Sequence, residues 1–160
     1  MKRTFLLGVY FLLAIMLQKM VMPKWLPIGF IPDFLLLAVL LFGFWKSGAS
    51  GFWFGLLLGL FQGWIHGVGW WAFALSRGLA AVFVGWMRIR WLWTSPLAVS
   101  FCTAVGTVFA ETLLAILFAI SERSLSPFSL LFTIAAFEAS VNSLFAFLIS
   151  WLKQPREVLA

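Results

Sequence analysis

Six polar side chains stand out from an otherwise apolar chain: Gln62, His66, Arg77, Glu111, Glu138 and Asn142. Each falls within a hydrophobic run and not in a polar stretch. Arg77 is the one cation in the interior of such a run, and Glu111 and Glu138 compete for it. Whichever carboxyl Arg77 leaves is expected to be protonated or bonded to Asn142, Thr107 or His66. An ionisable group near the middle of an apolar helix costs about 2.5–3.5 kcal/mol on insertion scales, so these groups should meet in the interior and turn away from lipid. The chemistry open to them is a proton relay, an ion site, a pocket for a polar ligand, or hydrogen-bonding glue that fixes helix register. Glue is the simplest. Catalysis lacks its parts: His66 is the only histidine, and no Ser-His-Asp set, carboxylate pair at a cleft or phosphate loop can be assembled. Cys102, the single cysteine, sits in an apolar run and offers neither an internal disulfide nor a metal spacing. No catalytic residue, metal or cofactor is therefore expected.

The body that holds these side chains must live in lipid. Of 160 residues, 64% are hydrophobic and 10% charged, and the mean hydropathy is +1.08. Soluble domains run near about 25% charged, and a soluble domain of this size has too little interior for so much apolar surface. Six apolar runs, 4–22, 30–45, 51–66, 70–87, 96–120 and 127–152, predict an all-α polytopic membrane protein, six transmembrane helices in one bundle, with residues 1–160 forming a single membrane domain. The first run opens on Lys2 and Arg3 in the manner of a secretory signal. No small-residue cleavage site follows before Gln18 and Lys19, so it reads as a retained helix. The second and third runs are short for a crossing. Asp33, just after Pro32, is expected to cap the second.

The net charge of +6 does not mark a nucleic-acid binder, because the basic residues are scattered in ones and twos at the ends of runs. Placed on alternating sides of a bilayer, Lys2, Arg3, Lys46, Arg88, Arg90, Lys153 and Arg156 fall on one side and Lys19, Lys24 and Arg123 on the other. An excess of cations marks the cytoplasmic side, so both termini are expected in the cytoplasm. Trp25, Trp45, Trp70, Trp71, Trp91, Trp93 and Trp151 lie near the expected ends, as an aromatic belt would.

Within the third run a glycine recurs at every fourth position: Gly51, Gly55, Gly59, Gly63 and Gly67. Each costs a helix roughly 1 kcal/mol against alanine in water, so the repetition needs a reason. On a helix of 3.6 residues per turn these glycines form one smooth stripe that also holds Gln62 and His66. Trp53, Phe54, Leu57, Leu58, Leu60, Phe61, Trp64 and Ile65 fill the other side. Lipid supplies no hydrophobic drive between helices, and small residues let backbones approach closely. The stripe is thus expected to be a packing face, a face that admits a ligand being the alternative. Similar faces follow in the later runs: Ala74, Arg77, Gly78, Ala81 and Gly85; Ser100, Thr103, Gly106, Thr107, Ala110 and Glu111; Ala135, Glu138, Ala139, Asn142 and Ala146. These faces are expected to meet, with Gly78 among the packing glycines.

The order of motifs between Ile31 and Trp86 carries a resemblance. Pro32 and Asp33 open an apolar span, a short basic turn runs from Lys46 to Gly51, and Gly55, Gly59, Leu60, Gln62, Gly67 and Gly69 follow. In this the chain resembles the MreD family of rod shape-determining proteins. That family usually carries Asp where this chain has Gln62, so any ionic role there is absent or moved. The resemblance implies a non-enzymatic, multi-pass scaffold of the cell-shape (elongation) machinery in the bacterial inner membrane. The partners implied are an MreC-like membrane protein and, in the same machinery, MreB, RodA and its transpeptidase, in support of lateral peptidoglycan synthesis. The family is in turn similar to the substrate-capture subunits of energy-coupling-factor vitamin transporters, another small six-helix bundle. The alternative is accordingly a substrate-capture or transport subunit with Arg77, Glu111, Glu138, Gln62 and His66 lining a pocket. Such subunits usually carry Ala-x-x-x-Ala on the first helix, which Gly8 and Ala14 do not reproduce.

Overall fold

The computed structural model describes residues 33–46, 48–67, 69–91, 95–122 and 128–153. The expected first span, 4–22, lies outside the described residues, as does the stretch 30–32 ahead of Asp33. Among the described residues five α-helices follow one another: α1 (Phe34–Lys46), α2 (Gly48–His66), α3 (Trp70–Trp91), α4 (Pro96–Glu122) and α5 (Phe128–Lys153). Four of them are long and apolar enough to cross a membrane, through Gly48–His66, Trp70–Arg90, Pro96–Ser121 and Thr133–Lys153. Among its described residues the chain is thus an all-helical membrane protein.

The short helix sits at the centre. α1 reads FLLLAVLLFGFWK, apolar on every side, and a helix without a polar face belongs in an interior. Leu36, Val39 and Leu40 are fully buried, and α1 touches each of the other four helices. Its 13 residues span only about 20 Å at 1.5 Å per residue, against a hydrocarbon core of about 30 Å. One end of α1 therefore lies at membrane depth. Non-helical backbone is tolerated there only where protein buries it, and Asp33, ahead of the first turn, is 4% exposed. Asp33 caps that turn. Its Oδ1 accepts the Leu36 N–H at 3.0 Å, and its carbonyl accepts the Leu37 N–H at 3.0 Å.

α2 and α3 form a hairpin held backbone to backbone. A Cβ added to Gly55 would lie 2.5 Å from the Arg77 carbonyl oxygen, one on Gly59 would lie 2.6 Å from Ala74 Cα, and one on Gly63 would strike Trp70 Cα. A Cβ on Gly51 would meet Gly43 of α1 and Ala81 of α3, and one on Gly78 would lie 3.2 Å from the Phe52 ring. No side chain larger than hydrogen fits at Gly55, Gly59 or Gly63 without moving the facing backbone.

The last glycine of the expected stripe behaves differently. Gly67 lies beyond α2 with a φ of +73°, and a Cβ there would meet nothing within 4 Å. Its N–H donates to the carbonyls of Gly63 (3.0 Å) and Trp64 (3.2 Å), which closes the helix. The packing face expected over Gly51–Gly67 ends at Gly63. Gly67 belongs to the chain reversal, where a left-handed φ favours glycine.

α4 runs back along α3, with Phe118 against Phe73 near one end and Phe109 stacked on Phe83 toward the other. α5 returns beside α4 and α1. α3 outlasts its expected end at Met87 by four residues. Hydropathy reports where lipid ends, not where a helix ends, and Arg88 has work in the last turn: its Nη1 donates to the carbonyls of Phe44 and Trp45, each at 2.9 Å, at the C-terminus of α1. Lys153 Nζ lies 3.4 Å from the centroid of the Trp45 ring. Lys46, Arg88, Arg90 and Lys153 thus gather at one end of the bundle, where α1, α3 and α5 finish.

Candidate functional site

At the opposite end of α1 lies a buried polar network centred on Arg77, the eighth residue of α3. Side chains on a helix lean toward its N-terminus, so Arg77 reaches back along α3 toward the capped start of α1. It is 2% exposed. Its Nη2 donates to Asp33 Oδ2 at 2.8 Å, its Nη1 to Glu111 Oε1 of α4 at 2.8 Å, and its Nε to Gln62 Oε1 of α2 at 3.2 Å. One guanidinium therefore ties α1, α2, α3 and α4 together. The Phe73 ring covers it, with Arg77 Cζ 5.5 Å from the ring centroid.

Gln62 works as a bridge between base and acid. While its Oε1 accepts from Arg77, its Nε2 donates to Asp33 Oδ2 at 2.6 Å. Only an amide can do both, since a carboxylate at this position would have no proton to give Asp33. Asp33 accordingly uses both oxygens, Oδ1 on the cap and Oδ2 on the network. A buried charge is tolerated when its partners satisfy it in good geometry, and here each kind of guanidinium nitrogen has one.

The competition for Arg77 goes to Glu111, with a partner the sequence reading does not assign to it. Glu111 takes it together with Asp33, and no bond joins it to Glu138. Asp33, read from the sequence as a cap only, is the missed member. The signal for it was the shortness of its helix: a 13-residue span that reaches one bilayer surface must begin at depth. Glu138, on α5, is half-buried, and its Oε2 is buried without a hydrogen-bond partner.

His66 is the second departure. It was placed in the interior cluster by its position on the glycine stripe. It instead ends α2, exposed, with its ring stacked on Phe73 at 5.2 Å. Angular position on a helix was right, but the network's depth is fixed by Asp33 and Arg77, and His66 lies a turn beyond Gln62. Asn142 is fully buried and belongs to the α4–α5 seam: its Nδ2 donates to Thr107 Oγ1 at 3.3 Å, and Thr107 in turn donates to the Thr103 carbonyl at 2.9 Å. Among the described residues, no group of three or more His, Cys, Asp and Glu side chains is placed to hold a metal ion. The Arg77 network can fix four helices in register; at 2% exposure, its cation would first have to be uncovered to meet a ligand.

Comparison with known protein families, with curated proteins and with solved structures finds no match to this chain.

Proposed function

We propose that this protein is a non-enzymatic scaffold of the bacterial inner membrane, acting in the cell-shape machinery beside an MreC-like partner and supporting lateral peptidoglycan synthesis with MreB, RodA and its transpeptidase. The observation that carries the reading is the buried Arg77 network, in which a cation only 2% exposed is bonded through Nε, Nη1 and Nη2 to groups on three other elements and so serves to join helices. The stretch that resembles MreD, Ile31 to Trp86, covers α1, α2 and most of α3, the helices joined by both the glycine seam and that network. Trp53, Leu57 and Trp64 form an exposed apolar stripe on the outer side of α2 that suits lipid or a partner helix. In this reading the full chain has six spans in a bundle similar to the substrate-capture subunits of energy-coupling-factor transporters. The end bearing Lys46, Arg88, Arg90 and Lys153 faces the cytoplasm, with both termini.

The test is copurification from the native membrane in mild detergent. An MreC-like protein is expected to come with the chain, and its consistent absence would overturn the reading. Reporter fusions to the two ends should both report the cytoplasm.

The alternative, a substrate-capture subunit, is favoured by polar atoms that stay unpartnered on α4 and α5. It requires the helices around Arg77 to part and expose the guanidinium when a ligand arrives. A saturable rise in thermal stability with one vitamin in a detergent screen would favour it over the scaffold.

A further inference from the structure

At the end where α1, α3 and α5 finish, two cations meet on one residue. Arg88 Nη1 donates to the carbonyls of Phe44 and Trp45, each at 2.9 Å, and Lys153 Nζ lies 3.4 Å from the centroid of the Trp45 ring. Lys46 follows Trp45 directly and is exposed, as is Lys153. Each of α1, α3 and α5 thus brings a cation to Trp45. Among the described residues no carboxylate answers them. Asp33 lies at the opposite end of α1, and Glu122 ends α4 beside the start of α3. Glu111 is bonded to Arg77, which is about 16 Å along α3 from Arg88 at 1.5 Å per residue. Glu138 is about 22 Å along α5 from Lys153 on the same measure.

These cations keep donors to spare. Arg88 spends Nη1 on two carbonyls, while its Nε and Nη2 donate to no described group. Those two nitrogens share the planar edge of the guanidinium that grips two phosphate oxygens at once. A lysine ammonium carries three N–H groups, and the face of an indole ring occupies only one side of it. An anion with several oxygens matches this set. The neighbourhood is also greasy: Trp86 and Ile89 in the last turns of α3, and Trp151 and Leu152 in the last turn of α5, are large and exposed. A free phosphate has no use for them, whereas a ligand with an anionic head and apolar tails uses both chemistries at a bilayer surface. Arg90 supplies the contrast. It follows Arg88 by two residues, about 200° around the helix, so it leaves α3 on another side and has no contact with Trp45.

We propose that the cations gathered on Trp45 form a binding site for the phosphate of an anionic phospholipid, with Lys153, Lys46 and the Nε–Nη2 edge of Arg88 as its donors. The lipid head sits at the bilayer surface that the C-terminus of α1 reaches, and its acyl chains lie beside the exposed side chains of the last turns. The site is independent of whether the chain serves as a scaffold.

The test uses the full chain in mild detergent, titrated with phosphatidylglycerol or with phosphatidylcholine of the same acyl chains, and native mass spectrometry reads the lipid retained. Phosphatidylglycerol is expected to bind about fivefold or more tighter than phosphatidylcholine. Lys153→Gln and Lys46→Gln should each weaken phosphatidylglycerol about fivefold and leave phosphatidylcholine unchanged. Arg90→Gln removes the same charge from the same end and should change binding by less than about twofold, since Arg90 does not reach Trp45. The three side chains are exposed, so the variants are expected to fold, and their unfolding midpoints check it. Inorganic phosphate at the concentration of the lipid should not displace it. Three results would each overturn the proposal: equal binding of the two lipids, an Arg90→Gln loss as large as that of Lys153→Gln, which means diffuse surface charge, or displacement by inorganic phosphate, which means a free anion is the ligand.

Discussion

The seam between α2 and α3 and the seam between α4 and α5 solve one problem in two ways. Neither can rely on hydrophobic drive, since lipid is as apolar as the side chains. Between α2 and α3 the solution is shape: Gly55, Gly59 and Gly63 bring backbone against backbone, and the polar atoms beside them, on Gln62 and Arg77, are bonded within the protein. Between α4 and α5 the contact runs over Ala, Ser, Thr and Asn, joined by Ser100 to the Ser143 carbonyl at 2.9 Å and by Asn142 to Thr107 at 3.3 Å. Here four buried atoms stay without a protein partner. Where backbones touch there is no room for water, so every polar group needs a protein partner.

Substitutions can break this contrast, and the largest effect is expected at its centre. Arg77→Met leaves Asp33 and Glu111 as uncompensated buried charges and should cost about 3–5 kcal/mol. Equilibrium unfolding in detergent measures it, and a loss below about 1 kcal/mol would mean that the ion pairs do not join the helices. Gln62→Glu removes the donor to Asp33 Oδ2 and brings a second carboxylate against it, with an expected loss of about 1–3 kcal/mol. A Gln62→Glu protein as stable as the parent would show that Asp33 does not depend on this bridge. Gly59→Ala tests the seam without touching a charge. Its methyl group would overlap Ala74 Cα, and overpacking of this kind costs about 1–3 kcal/mol. Gly67→Ala, by contrast, meets no neighbour and should lose only about 1 kcal/mol, through its left-handed φ. Equal losses at the two glycines would erase the distinction between seam and turn. A similarly small effect is expected across the second seam, where Asn142→Leu gives up one long hydrogen bond and should cost about 0.5–1.5 kcal/mol in the same assay.

The sequence carried much of this because helix periodicity and hydropathy are properties of a single segment. The smooth side of α2, the small residues of α3 and the identities of Arg77, Glu111 and Gln62 all follow from counting along one helix. Depth does not follow in that way. His66 shares a helical face with Gln62 yet ends α2, exposed and stacked on Phe73, because its level on α2 is a turn farther along. Gly67 continues the four-residue spacing yet belongs to a turn, because the helix ends before it. The boundary of α3 at Trp91 was missed for a related reason: charged residues end an apolar run without ending a helix.

By itself the chain determined that its described part is a set of membrane-crossing helices with glycine and polar faces that must be hidden. Only the tertiary structure decided which polar group meets which. Asp33 and Arg77 stand 44 residues apart, and their pairing depends on a short central helix beginning at the level that Arg77 reaches. The physical reason is that a face is set by the rotation of one helix, whereas a partner is set by the relative translation of two, and translation is fixed by contacts along the whole of both.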